Sequence, residues 1–222
     1  FAPLLEALRG EIEKCPDGAF VKLSTRSPKD SKWAFRRATR MYEEDVAALE
    51  AEGAEEVDLN RKLVLLANAS TRSLCISSAE EALTMLLDSV RVREDLTYAL
   101  ESLENGVEWT LQLIVREFRF CVWCFFAFCP FHACSLCRRG ISCEREWRGF
   151  VWNGTLNALG QYFFPIFFEE LQEEAFVERV RQDCLAKFEE IKPLLPYDHY
   201  ILDLAWLGSG DVVVIEVNPF DD

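Results

Sequence analysis

Residues 201–218 read Ile201-Leu202-Asp203-Leu204-Ala205-Trp206-Leu207-Gly208-Ser209-Gly210-Asp211-Val212-Val213-Val214-Ile215-Glu216-Val217-Asn218. Two runs of β-formers around a Gly-Ser-Gly turn predict an antiparallel hairpin, with strands over 201–207 and 211–217. On the first strand Ile201, Asp203 and Ala205 share one face, while Leu202, Leu204 and Trp206 share the other. Strict alternation on the second strand puts Val212, Val214, Glu216 and Asn218 together. If Leu207 pairs with Val212 across a four-residue loop, Asp203 lies opposite Glu216, with Asn218 two residues further along. Two carboxylates facing each other in apolar surroundings repel. A divalent cation resolves the conflict, because Mg²⁺ takes one or two carboxylates plus phosphate oxygens and waters. Asp203, Glu216 and Asn218 are therefore candidate metal ligands. The plain alternative is a pair of polar residues at a solvated sheet edge.

Outward from this hairpin, residues 147–152 and 155–159 flank Asn153-Gly154, a strong signal for a second hairpin. A long helix is expected over 169–191 between the two. Upstream, the spacing of Leu4, Leu5, Leu8 and Ile12 predicts a helix over 3–14, and residues 19–23 read as a strand after the Asp17-Gly18 turn. A polar loop over 24–30, an acidic helix over 41–52 and a strand over 63–67 follow. Ser78 with Glu81 reads as a capping box opening a helix, and another helix is expected over 93–103. Residues 109–118 alternate as a strand. Strands and helices mix without a strict βαβ alternation, and hairpins dominate the second half. This is an α+β fold with largely antiparallel sheets and flanking helices.

The chain has 222 residues, with 38 Asp and Glu against 24 Lys and Arg and a net charge of −14. Such a surface repels phosphate backbones and anionic lipid, so no direct nucleic-acid or membrane partner is expected. Against that background Lys22 sits in an apolar strand, followed by the loop Ser24-Thr25-Arg26-Ser27-Pro28-Lys29-Asp30. A strand lysine beside a Ser-rich loop can neutralise phosphates, with loop N–H groups completing the fit. Arg116 and Arg148 are further cations on expected strands. Basic strands plus a metal-binding hairpin make a nucleotide site, whereas either half alone says little. The plain reading of the basic strand is an exposed face beside a solvated loop.

The nine cysteines are odd in number, and six of them fall between Cys121 and Cys143. A secreted disulfide framework would spread its pairs, so the chain is expected to be intracellular and reduced. Phe1 in place of Met suggests a fragment, and neither a signal peptide nor a targeting tail is read at its ends. His132 and His199 have no Ser or Cys partner at a recognisable spacing, so no hydrolase triad is expected. The run Phe163-Phe164-Pro165-Ile166-Phe167-Phe168 reads as core ahead of a docking patch.

Four segments together resemble the cell division cycle protein 123 family. They are Phe20 to Asp30 (with Lys22 and the Ser-Pro-Lys-Asp loop), Leu113-Ile114-Val115-Arg116-Glu117-Phe118, Glu146-Trp147-Arg148-Gly149-Phe150-Val151, and Val214-Ile215-Glu216-Val217-Asn218-Pro219-Phe220. The resemblance implies an ATP-grasp-like fold of two lobes: residues 1–112 carrying the phosphate-binding strand and loop, and 113–222 carrying the metal-binding hairpin. It implies a cytoplasmic, monomeric assembly chaperone that binds ATP and Mg²⁺ and acts on the gamma subunit of translation initiation factor 2. By position it places Lys22, Ser27 and Lys29 on the phosphates and Arg116, Glu117 and Phe118 at the adenine. Arg148 and Gln161 fall to the second lobe's nucleotide contacts, and Asp203, Glu216 and Asn218 to the metal. A carboxylate–amine ligase working through an acyl phosphate is the enzymatic alternative.

The sequence departs from the family in two places. Gly160-Gln161-Tyr162 stands where many members have Ser-Gln-Arg, so a cation is missing there. A Cys-rich insertion over about 119–145 separates two strands that the family joins briefly. Zinc binding through Cys121, Cys124, Cys134 and Cys137, a membrane span, and an insertion without selected function compete to explain it, and the last is preferred.

Overall fold

The structure, a computed structural model, describes residues 2–51, 57–107, 111–118, 141, 143–208 and 210–220. The Cys-rich window lies almost wholly outside the described residues, so its three readings do too. The chain forms two compact units, Phe1–Arg119 and Phe120–Asp222, each described by itself.

In the first unit α1 (Ala2–Ile12) leads through a turn to β1 (Ala19–Leu23), which pairs antiparallel with β2 (Leu113–Glu117). Gly18 makes that turn possible: its φ is +99°, and a Cβ there would meet the Cys75 sulfur. Ala19 also exchanges two 2.8 Å backbone hydrogen bonds with Ile76. Three more helices follow the 24–31 loop before α5: α2 (Lys32–Ala51), α3 (Leu59–Arg72) and α4 (Ala79–Asp88), with α5 spanning Val90–Glu104. Leu8, Ile12, Phe20, Val21, Ile76, Met85, Leu86 and Val92 form a core between α1, β1, α4 and α5.

Two expectations fail in this unit for physical reasons. Residues 63–67 are helical, inside α3, not a strand. Five apolar residues cannot by themselves distinguish the two, and the Asp58 side chain decides by accepting from Arg61 N–H at 2.9 Å to cap a helix. The helix expected over 41–52 starts much earlier, at Lys32. Asp88 accepts from Trp33 N–H at 2.6 Å, and the Ser31 hydroxyl accepts from Ala34 N–H at 3.3 Å. A cap supplied by a residue 55 positions away leaves no local signature. Ser78 does cap α4, but Glu81 accepts from Ser77, one residue outside the reciprocal box, at 2.8 Å.

The second unit is a four-stranded antiparallel sheet of order β4-β3-β5-β6, formed by β3 (Glu146–Trp152), β4 (Thr155–Gln161), β5 (Tyr200–Gly208) and β6 (Asp211–Asn218). Asn153 and Gly154 turn β3 into β4 with φ of +50° and +63°, as that dipeptide favours. The long helix splits into a 3₁₀ turn (Glu169–Gln172) and α6 (Glu174–Ile191). Val180, Cys184 and Phe188, four apart on α6, are buried with Trp147, Val151, Leu202, Leu204, Trp206 and Val212. Burial, and then the Asp183 charge, push the Cys184 thiol up to about 12, so it stays protonated. The Phe run is not core: Phe164 is 87% and Phe167 60% exposed, and only Ile166 among them is buried.

Phe188→Ala is expected to destabilise the second unit by about 3–5 kcal/mol, while Phe164→Ala stays within about 0.5 kcal/mol. Urea melts followed by tryptophan fluorescence would check the contrast.

Candidate functional site

The hairpin delivers the expected pair by an unexpected route. Asp203 opposes Glu216, as the Leu207–Val212 register required, but the ladder between them and the turn is offset by one residue. Leu207 is surplus on β5, and Ile215 is surplus on β6 where Leu204 meets Val214 while Asp203 meets Glu216. The run Val212-Val213-Val214-Ile215 is one residue too long for alternation, and a bulge at Ile215 absorbs it. As a result Val212, Val214 and Val217 all pack into the core. Glu216 and Asn218 turn to the other face, alongside Asp203. The expectation that Glu216 shares a face with Val212 and Val214 is thereby corrected. An unbroken run of four β-branched residues is the sequence signal that could have revealed the bulge.

Asp203 is 2% exposed on a strand with neighbours on both sides. Arg148, its register partner on β3, donates Nε to Oδ1 and Nη2 to Oδ2, each at 2.8 Å. Asn218 Nδ2 donates to Oδ2 at 3.4 Å. The Arg148 guanidinium lies 4.6 Å from the Tyr162 ring, a support that the sequence reading missed. Its pKa is raised by the Asp203 hydrogen bonds, against burial, with the Asp203, Tyr162 and Glu216 charges adding. Gln161 falls elsewhere. It pairs with core residue Trp147, whereas Arg148 pairs with Gly160, so Gln161 projects to the α6 side. There Gln161 Nε2 donates to Cys143 O at 3.2 Å, while its Oε1 and Trp147 Nε1 are buried without a protein partner.

The donor set of Asp203, Glu216 and Asn218 is all oxygen, the chemistry that a hard divalent cation requires, so these residues fit Mg²⁺. Among the described residues no group of three or more His, Cys, Asp or Glu gathers as a metal cluster. The trio holds two acids and an amide.

In the first unit Lys22, 9% exposed, pairs with Ile114. Phe20 pairs with Arg116, whose guanidinium lies 4.8 Å from the Phe20 ring, and Glu117 pairs with Ala19. Phe118 N–H donates to Gly18 O at 2.9 Å. Ser27 is buried and Lys29 exposed in a loop tied down at both ends. Arg26 Nε donates to Asp95 at 2.8 Å, and Asp30 accepts from Val90 and Arg91 N–H at 2.9 and 3.1 Å. Arg26 is thus committed to α5. A surface depression on α5, lined by Arg26, Arg93, Glu94, Asp95 and Tyr98 among others, contains none of the residues chosen from the sequence.

A family model of the ATP-grasp domain, the third family of its clade, matches residues 69–221, more than half of the chain. The chain belongs to that ATP-grasp family. The ATP-grasp domain is a nucleotide-binding fold, and the mixed helices and antiparallel sheets described above are its architecture here. Cdc123 from Schizosaccharomyces pombe is similar in structure, with a TM-score of 0.61 at 18% identity, over 98% of this chain and 66% of that one. A C-terminally truncated form of the same protein gives 0.62 at 17% identity, over 99% and 67%. This ATP-grasp chain thus spans about two thirds of the Cdc123 structures it matches, and the resemblance to the cell division cycle protein 123 family holds in the fold. No curated protein matches it. Among the described residues no helix is long and apolar enough to cross a membrane.

Asp203→Ala would leave the Arg148 guanidinium unpaired against the sheet. Losing one partner of a fully buried pair costs about 3–5 kcal/mol, and the partial exposure of Arg148 reduces that to roughly 2–3 kcal/mol. The expected outcome is a lower denaturation midpoint for the second unit, with Asp203→Asn milder because its amide oxygen still accepts from the arginine.

Proposed function

We propose that this ATP-grasp chain binds Mg·ATP and serves as an assembly chaperone for translation initiation factor 2, engaging its gamma subunit. The observation that carries the nucleotide part is the bulge that turns Glu216 and Asn218 onto the face of Asp203, beside Arg148. Two carboxylates and an amide then share one surface with a strand arginine, in a chain of a nucleotide-binding family. When bound there, a divalent cation would offset phosphate charge. Asp203, Glu216 and Asn218 would hold it. Arg148 would pair with phosphate oxygens in the forked geometry that guanidinium favours. In the first unit Lys22 and Lys29 offer point charges for phosphates, and Arg116 with Phe20 offers an apolar and cationic border for a base.

The partner reading draws on the shared fold with Cdc123 and on the net charge of −14, which favours a basic protein surface. The family assignment also favours a second reading, a carboxylate–amine ligase that activates its acid as an acyl phosphate. Cytoplasmic location and a monomeric state belong to the chaperone reading.

Titration calorimetry of Mg·ATP into the chain is expected to show binding that an Asp203→Ala, Glu216→Ala variant loses. Capture of the gamma subunit without turnover of ATP supports the chaperone reading. ATP-dependent joining of an acid to an amine would replace it with the ligase, and no binding by the folded parent would end both.

A further inference from the structure

Asp203 and Arg148 are arranged more tightly than nucleotide binding alone requires. A carboxylate 2% exposed needs a counter-charge, and both of its oxygens already accept from Arg148 at 2.8 Å. Asn218 adds a third donor to the same group at 3.4 Å. The guanidinium is held in place by the Tyr162 ring and feels the charge of Glu216 as well. One arginine therefore answers both carboxylates that a cation would need.

A divalent cation arriving alone would have to share Asp203 with a positive charge lying against it, and like charges at this range oppose each other. An alternative anion for Arg148 removes the conflict. The side chain is 35% exposed, so its outer edge can be reached without opening the core. Its two bonds to Asp203 use two of the five N–H donors that a guanidinium carries. Phosphate oxygens can accept from the others.

We propose that Arg148 is the resident counter-ion of the Asp203 site and excludes a free divalent cation until nucleotide phosphates give the guanidinium a second anion. This deepens the nucleotide-site reading and rests on it. Metal and nucleotide then bind with positive coupling, and the coupling is reciprocal: each tightens the other by the same factor. Arg148 acts here by positioning charge. Its distinguishing signature is that neutralising it should strengthen one kind of binding, which loss of a merely structural residue would not do.

The test is calorimetry on the full chain and on Arg148→Gln and Arg148→Lys, with MnCl₂ or MgCl₂ titrated in the presence and absence of ATP. Circular dichroism of each variant accompanies it. In the parent, ATP is expected to tighten metal binding at least about ten-fold, within the usual range for coupled sites. Arg148→Gln should bind metal alone at least about ten-fold more tightly than the parent does, with much of the coupling to ATP gone. Arg148→Lys, which keeps the charge, should exclude free metal as the parent does. A parent that binds metal equally well with and without ATP overturns the proposal, as does a folded Arg148→Gln that binds free metal no better. If Arg148→Gln does not fold, the parent's coupling factor and the lysine variant decide. Failure of the parent to bind ATP with or without metal contradicts the nucleotide-site reading itself, a separate outcome read from the nucleotide arm.

Discussion

A buried carboxylate on an interior strand constrains everything around it. Asp203 sits on β5, between β3 and β6, and cannot lean into solvent as an edge residue could. Desolvating an unpaired carboxylate is costly enough that its neighbours must answer it. β3 answers with the Arg148 fork and β6 with Asn218. The opposite face of the same sheet is filled by Trp147, Val151, Leu202 and Leu204 under α6. One face thus serves packing and the other charge, and the Ile215 bulge lets β6 take part in both.

Local features of this fold were legible in the sequence. The Asn153-Gly154 turn, β1 and the Asp203–Glu216 opposition all follow from short-range rules of turn chemistry and alternation. The parts that were not legible depend on distant residues or on small departures from periodicity. Asp88, far along the chain, opens α2, and Asp58 converts a run read as a strand into α3. The face of Gln161 depends on which neighbour Trp147 takes across β3 and β4, which no motif spells out. The Phe-rich run around Pro165 misleads because hydrophobicity marks what can be buried, and Phe164 has nothing to cover it.

The first unit applies the same constraint differently. Its loop over 24–31 is polar and reads as a free phosphate cradle, yet Arg26 and Asp30 are fastened to α5 and Ser31 to Asp88. Burial raises the Asp95 carboxyl, but the Arg26 and Thr25 hydrogen bonds outweigh it and hold its pKa below the ordinary value. A loop fixed in this way loses less entropy on meeting a ligand than a free one would. Lys22, on the strand leading into that loop, is positioned by the sheet.

Cation binding by Asp203, Glu216 and Asn218 on the charged face of the β3–β5–β6 sheet is the claim on which the nucleotide site stands. The most direct measurement is anomalous diffraction from crystals of the chain grown with Mn²⁺ and a non-hydrolysable ATP analogue. The expected result is a manganese peak within roughly 2–2.5 Å of oxygens from those three residues. Nucleotide bound with the metal elsewhere, or with Asp203 still paired to Arg148 alone, would contradict it.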